Sequence, residues 1–133
     1  MIFIGSNLVG TYFRDEAAFL ACLARARDHF AGHELLYCPH RYEDTALRAK
    51  IATLGIALFE PGTILEQAFV RAGWRPALLA SFRSTAIDTL GMIYDIPGCM
   101  LRIPRADIVD DAKAAELEAV WADYRQRGGR LID

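Results

Sequence analysis

The stretch Tyr37-Cys38-Pro39-His40-Arg41-Tyr42-Glu43 sets an imidazole, a guanidinium and a carboxylate close together after a short apolar run. A neutral imidazole at His40 can donate to a phosphate oxygen or give a proton to a departing one. Arg41 can pair with phosphate or carboxylate through two parallel hydrogen bonds. The same residues also suit a plain polar loop in which Glu43 starts the next helix and favours its dipole. Further on, Ser81-Phe82-Arg83-Ser84-Thr85-Ala86 follows another apolar run and enters a helical stretch. Hydroxyls beside the free N–H groups and positive dipole end of a helix make an anion site. An ordinary helix cap explains one of those hydroxyls and leaves Ser81 and Arg83 over. Glu66 falls in the first turns of the preceding helix, where a carboxylate either accepts both hydroxyls of a ribose or faces solvent.

A glycine-bearing turn, Gly5-Ser6-Asn7-Leu8-Val9-Gly10, follows the first apolar run. It lacks the middle glycine of a dinucleotide fingerprint, and Gly10-Thr11 lacks the lysine of a phosphate-binding P-loop. What remains is a turn at Gly5 that lets a ligand approach the backbone or merely turns the chain. Cys22, Cys38 and Cys99 are odd in number, unclustered and set in apolar stretches, which reads as buried free thiols in a reducing compartment. No ligands pair at short spacing, so no metal is expected. With 15 basic and 17 acidic residues and no block of like charge, the composition argues against nucleic acid held on a basic face.

These residues need elements to position them. Met1–Ile4, Leu35–Cys38, Ile56–Phe59, Ala77–Ala80 and Cys99–Ile103 read as short, wholly apolar strands. Helical periodicity covers 15–30, 43–54, 64–72, 84–94 and 110–127, and glycines follow most of these stretches. Strands that alternate with helices and are apolar on both faces specify a parallel sheet with right-handed crossovers. The expected fold is therefore α/β: one Rossmann-like, doubly wound domain over residues 1–133, with about five parallel strands and helices on both faces. The 53% hydrophobic share fits a sheet covered on both sides. No apolar run reaches the roughly 18 residues of a membrane span, and the first strand is expected to open the chain without a leader. Ligands of such sheets sit at the carboxyl ends of the strands. The loops beginning at Gly5, Pro39, Glu60 and Ser81 all emerge there, so His40 and Ser84 should share one cleft with Glu66 on its wall.

The order and spacing of these blocks resemble the carboxyl-terminal, CMP-binding domain of bacterial sialyltransferases and polysialyltransferases of the GT-B type. The matching stretches are Ile2-Phe3-Ile4-Gly5, Tyr37 to Glu43, Glu60-Pro61-Gly62 with Leu65-Glu66, and Ser81 to Ala86, within residues 1 to about 105. The resemblance implies His40 as the catalytic or phosphate-contacting histidine. It implies Glu66 on the ribose of CMP, Ser84 and Thr85 on its phosphate, and Gly5, Arg41 and Ser81 among the donor-binding residues. Many members have proline after the histidine, where this chain has Arg41. The implied ligand is CMP-sialic acid or a related CMP sugar, with no metal or other cofactor. The implied partners are a glycan acceptor and an acceptor-binding domain, without which the chain is expected to bind donor but not turn it over. The expected location is the cytoplasm, including its periphery at the inner membrane. A non-catalytic nucleotide-binding or protein-interaction module of the same fold is the alternative.

Overall fold

The computed structural model describes residues 1–133. Six strands form one sheet: β1 (Ile2–Ile4), β2 (Leu36–Cys38), β3 (Ala57–Leu58), β4 (Leu79–Ser81), β5 (Gly98–Leu101) and β6 (Arg130–Ile132). Their spatial order is β3-β2-β1-β4-β5-β6, and every pairing is parallel. Five helices connect them: α1 (Glu16–His29), α2 (Thr45–Thr53), α3 (Leu65–Ala72), α4 (Ala86–Tyr94) and α5 (Asp111–Gln126). This is the Rossmann-like doubly wound fold. Parallel neighbours need long crossovers, and the helices that supply them cover both faces of the sheet.

The central strands are buried because they are apolar throughout, and the edge strands β3 and β6 are partly exposed. Ile2, Phe3, Leu79, Ala80 and Cys99 are all but sealed from solvent. Phe3, Phe13, Phe19, Tyr37 and Phe82 build an aromatic centre of edge-on and stacked contacts around β1. Trp121 of α5 joins this core, and its indole N–H donates to the Phe82 carbonyl at 3.0 Å, so its one polar atom is satisfied.

One element departs from the sequence reading. The sheet has a sixth strand, β6, beyond Gly128 and Gly129, which therefore mark a turn into a strand. Arg130-Leu131-Ile132 is short and partly exposed, and it alternates too little to be read as a strand without its neighbour β5. Gly129 is tight: a Cβ there would stand 2.5 Å from the Tyr124 ring.

The strand order decides where the site lies. From β1 the chain winds outward through β2 to β3, returns over α3 to the other side of β1, and winds outward again through β5 and β6. The connections leaving the carboxyl ends of β1 and β4 therefore run in opposite directions and open a crevice between them.

Candidate functional site

A cleft of about 560 Å³ occupies that crevice and runs on between α4 and α5. Gly5 and Ser6 line it from β1, His40 from β2, and Arg83, Ser84 and Thr85 from β4. Asp88, Asp123 and Arg127 form the helical wall. This volume lies within the range of small-molecule pockets.

The His40 loop is held from below by a buried acid. Glu43 is only 4% exposed and accepts both the Tyr37 hydroxyl, at 2.8 and 2.9 Å, and the His40 N–H, at 2.7 Å. The His40 carbonyl accepts from the Glu43 N–H at 2.9 Å. Glu43 therefore anchors the loop; it does not start a helix, because Asp44 caps α2 by accepting from the Leu47 N–H at 2.7 Å. Burial, followed by the neighbouring Glu43 charge, pushes the Tyr37 phenol well above its ordinary 10.0, so it stays a donor. His40 accepts the Tyr42 N–H at Nδ1, 3.2 Å away, which puts the proton of the neutral ring on Nε2.

Gly5 is fitted to the same anchor. A Cβ on it would lie 2.3 Å from a Glu43 carboxylate oxygen and 2.5 Å from the Tyr37 hydroxyl. Packing against the buried pair thus demands glycine here, whether or not a ligand also approaches.

The start of α4 is chemically open. Thr85 stands at its N-cap position, and its side chain makes no capping bond. Ser84 Oγ accepts only from the Ala86 N–H, at 3.2 Å. The N–H groups of Ser84, Thr85 and Ile87 donate to no protein acceptor. Such a helix end carries roughly half a positive charge. Of the two arginines in the cleft, Arg127 is shared between Asp88 at 3.1 Å and Asp123 at 2.9 Å, whereas Arg83 has no carboxylate partner. The cleft therefore joins the donor-bearing amino end of α4 and Arg83 to an ion-paired wall of Asp88, Asp123 and Arg127, which begins in the first turn of the same helix.

Of the residues expected at the site, Gly5, His40, Ser84 and Thr85 come together, and three do not. Ser81 is fully buried, 3.4 Å from Ser6 Oγ and accepting the Arg83 N–H at 3.2 Å, so its hydroxyl ties the two loops beneath the cleft. Arg41 is exposed and lies over the Tyr42 ring, 4.8 Å from its centroid. Glu66 is absent from the cleft's lining; α3 leans on α4 instead, with the Tyr94 hydroxyl donating to the Glu66 backbone carbonyl. The sequence reading passed over Asp88, Asp123 and Arg127. Asp88 lies in the first turn of α4 and could have been read from helical spacing, but nothing along the chain marks Asp123 of α5 and Arg127 at its end as neighbours of β1 and β4.

The three thiols are free and buried. Burial raises Cys22 to about 12, and Cys38 and Cys99 to about 11, so each is a neutral packing group at neutral pH and a poor nucleophile. No helix is long and apolar enough to cross a membrane. Comparison with known proteins finds no family model that matches the chain and no curated protein of significant sequence similarity.

Proposed function

We propose that this chain is a nucleotide-phosphate-binding domain of the glycosyltransferase type, taking CMP-sialic acid or a related CMP sugar as its ligand. The observation that carries the reading is the open amino end of α4 facing the His40 loop across the β1–β4 crevice. A phosphate seated there would receive the free N–H groups of Ser84, Thr85 and Ile87, the Thr85 hydroxyl and the Nε2 proton of His40. Charge-assisted hydrogen bonds of this kind contribute roughly 1.5–3 kcal/mol each. In a transfer reaction the same groups would stabilise the negative charge that grows on the departing CMP phosphate. The carboxylates within reach of a sugar hydroxyl in the cleft are Asp88 and Asp123, and Glu66 has no such position.

A second reading, a module that binds nucleotide without turnover, draws support from the same two carboxylates. Both are ion-paired to Arg127, and no other carboxylate lines the cleft.

Calorimetric titration of the purified chain with CMP, and with unrelated nucleotides, tests the proposal. Replacing Ser84 and Thr85 together by alanine should weaken CMP binding at least tenfold, about 1.4 kcal/mol. Stability should fall by only about 1 kcal/mol. His40→Ala should weaken binding too. Unchanged affinity in the folded double variant would reject the site. Sialyl transfer to a glycan by this chain alone would reject the second reading.

A further inference from the structure

Arg83 is mounted in an unusual way for a surface-reaching arginine. It lines the cleft beside the open end of α4, with no carboxylate within ion-pair distance. Its Nε is sealed from solvent and donates to no acceptor. A buried donor without a partner costs free energy, so the conformation must be held by other contacts. Tyr12 supplies them. The Arg83 guanidinium carbon stands 5.0 Å from the centroid of the Tyr12 ring, within cation–π range. The ring itself is fixed: its hydroxyl donates to Glu116 at 2.8 Å, and Lys113 Nζ lies 5.0 Å from the same centroid. The Tyr12 backbone is tied at both ends, its N–H to the Leu8 carbonyl at 2.9 Å and its carbonyl to the Val109 N–H at 2.8 Å.

We infer that Arg83 is the phosphate-recognising cation of the cleft and that Tyr12 is the positioning residue that holds its guanidinium there. This rests on the reading of the cleft as a nucleotide-phosphate site and adds what selects the anion. The guanidinium and the backbone N–H groups of Ser84, Thr85 and Ile87 are separate sets of donors. The three terminal oxygens of a phosphate monoester can satisfy both sets, whereas a carboxylate, like the phosphodiester of an intact CMP sugar, has two. The site therefore prefers a phosphate monoester, such as the CMP released after transfer, to a simple carboxylate. A stacked arginine cannot be exchanged for lysine without losing both the planar fork and the stacking.

The test titrates the full chain with CMP, inorganic phosphate and acetate, and follows thermal unfolding of each variant in parallel. Arg83→Met should weaken CMP binding about thirtyfold, and Arg83→Lys about tenfold, because lysine keeps the charge without the fork. Tyr12→Leu should weaken binding about tenfold, whereas Tyr12→Phe keeps the ring and should stay within about threefold of the parent. Tyr12→Phe also loses the bond to Glu116 and so should lose stability. A merely structural role for Tyr12 would make affinity follow stability across both variants, and that result overturns the positioning assignment. If the parent binds CMP and folded Arg83→Met or Arg83→Lys binds it equally well, the assignment of Arg83 fails while the phosphate reading stands. If the parent binds neither CMP nor phosphate, the phosphate reading itself fails and takes this inference with it. Acetate binding as tightly as phosphate would refute the selectivity.

Discussion

Three helices of this protein begin closed and one begins open at a cleft. Asp15, Asp44 and Asp110 each place a carboxylate over the first turn of α1, α2 and α5, accepting from Ala18, Leu47 and Lys113 at 2.7–2.8 Å. The carboxylate satisfies a stranded N–H and neutralises the positive end of the helix, so none of these ends has a reason to seek an anion. At α4 the corresponding positions are Ser84 and Thr85, which leave three N–H groups unmet, and the one carboxylate of the first turn, Asp88, is ion-paired with Arg127. α3 also opens without a side-chain cap, at Ile64, but α4 differs in its company: Arg83, His40 and Ser6 share its cleft. The difference teaches that a capping carboxylate both fills a helix end and opposes an anion there, whereas the Ser84 hydroxyl takes one N–H and adds no charge, and that the available end lies where the strand order opens the sheet.

That contrast is easiest to break by making α4 resemble α1. Ser84→Asp should weaken phosphate and CMP binding by about a hundredfold, since the new carboxylate both repels the anion and occupies its donors. The same variant should gain about 0.5 kcal/mol in urea denaturation, because a carboxylate in place of the Ser84 hydroxyl adds a favourable charge at the positive end of the helix. Undiminished affinity would erase the distinction between open and closed ends. The floor of the open end is probed next by Gly5→Ala. The Cβ has to displace the buried Glu43 and Tyr37 groups, which should cost about 2 kcal/mol of stability, and a loss under about 0.5 kcal/mol would show that the anchor yields. Asp110→Ala should lower stability by about 1 kcal/mol and leave CMP affinity as it was, as expected of an end that only holds a helix. A parallel loss of affinity would mean that α5 is coupled to the site.

The smallest effect, nil at neutral pH, comes from the thiols. Burial raises Cys99 from the ordinary 9.0 to about 11. A group whose folded value is raised stabilises fully below its unfolded value and loses that contribution as pH rises through the folded one. Stability should therefore decline between about pH 9 and 11, and Cys99→Ala should flatten the decline without changing CMP binding. An unchanged slope in the urea midpoint against pH would place the decline on the other raised thiols and phenols, Cys22, Cys38, Tyr12, Tyr37 and Tyr124, which titrate in the same direction.

Much of this protein is written locally. Runs such as Ile2-Phe3-Ile4 and Leu79-Ala80 are apolar on both faces, and only a covered parallel sheet buries both, so the doubly wound class could be read before any coordinates. The ends of the helices were legible to within a residue or two, because caps and glycines act within one turn. Three of the expected site residues, His40, Ser84 and Thr85, meet for the same reason: loops that follow parallel strands must emerge at one edge. What the tertiary structure alone decided is which groups remain free there. Glu43 looked like a helix starter and is a buried anchor, because Tyr37, six residues earlier and on a buried strand, reaches its carboxylate. Ser81 looked like a spare hydroxyl and is consumed by Ser6 and the Arg83 N–H. β6 exists as a strand only because β5 lies beside it. Arg83, left over in the sequence, is held by Tyr12, 71 positions away along the chain, and by no carboxylate, a pairing that depends on which helices pack over β1 and β4. Periodicity and turn chemistry are short-range and survive in one dimension. Satisfaction and pairing of polar groups depend on distances that only the folded chain creates.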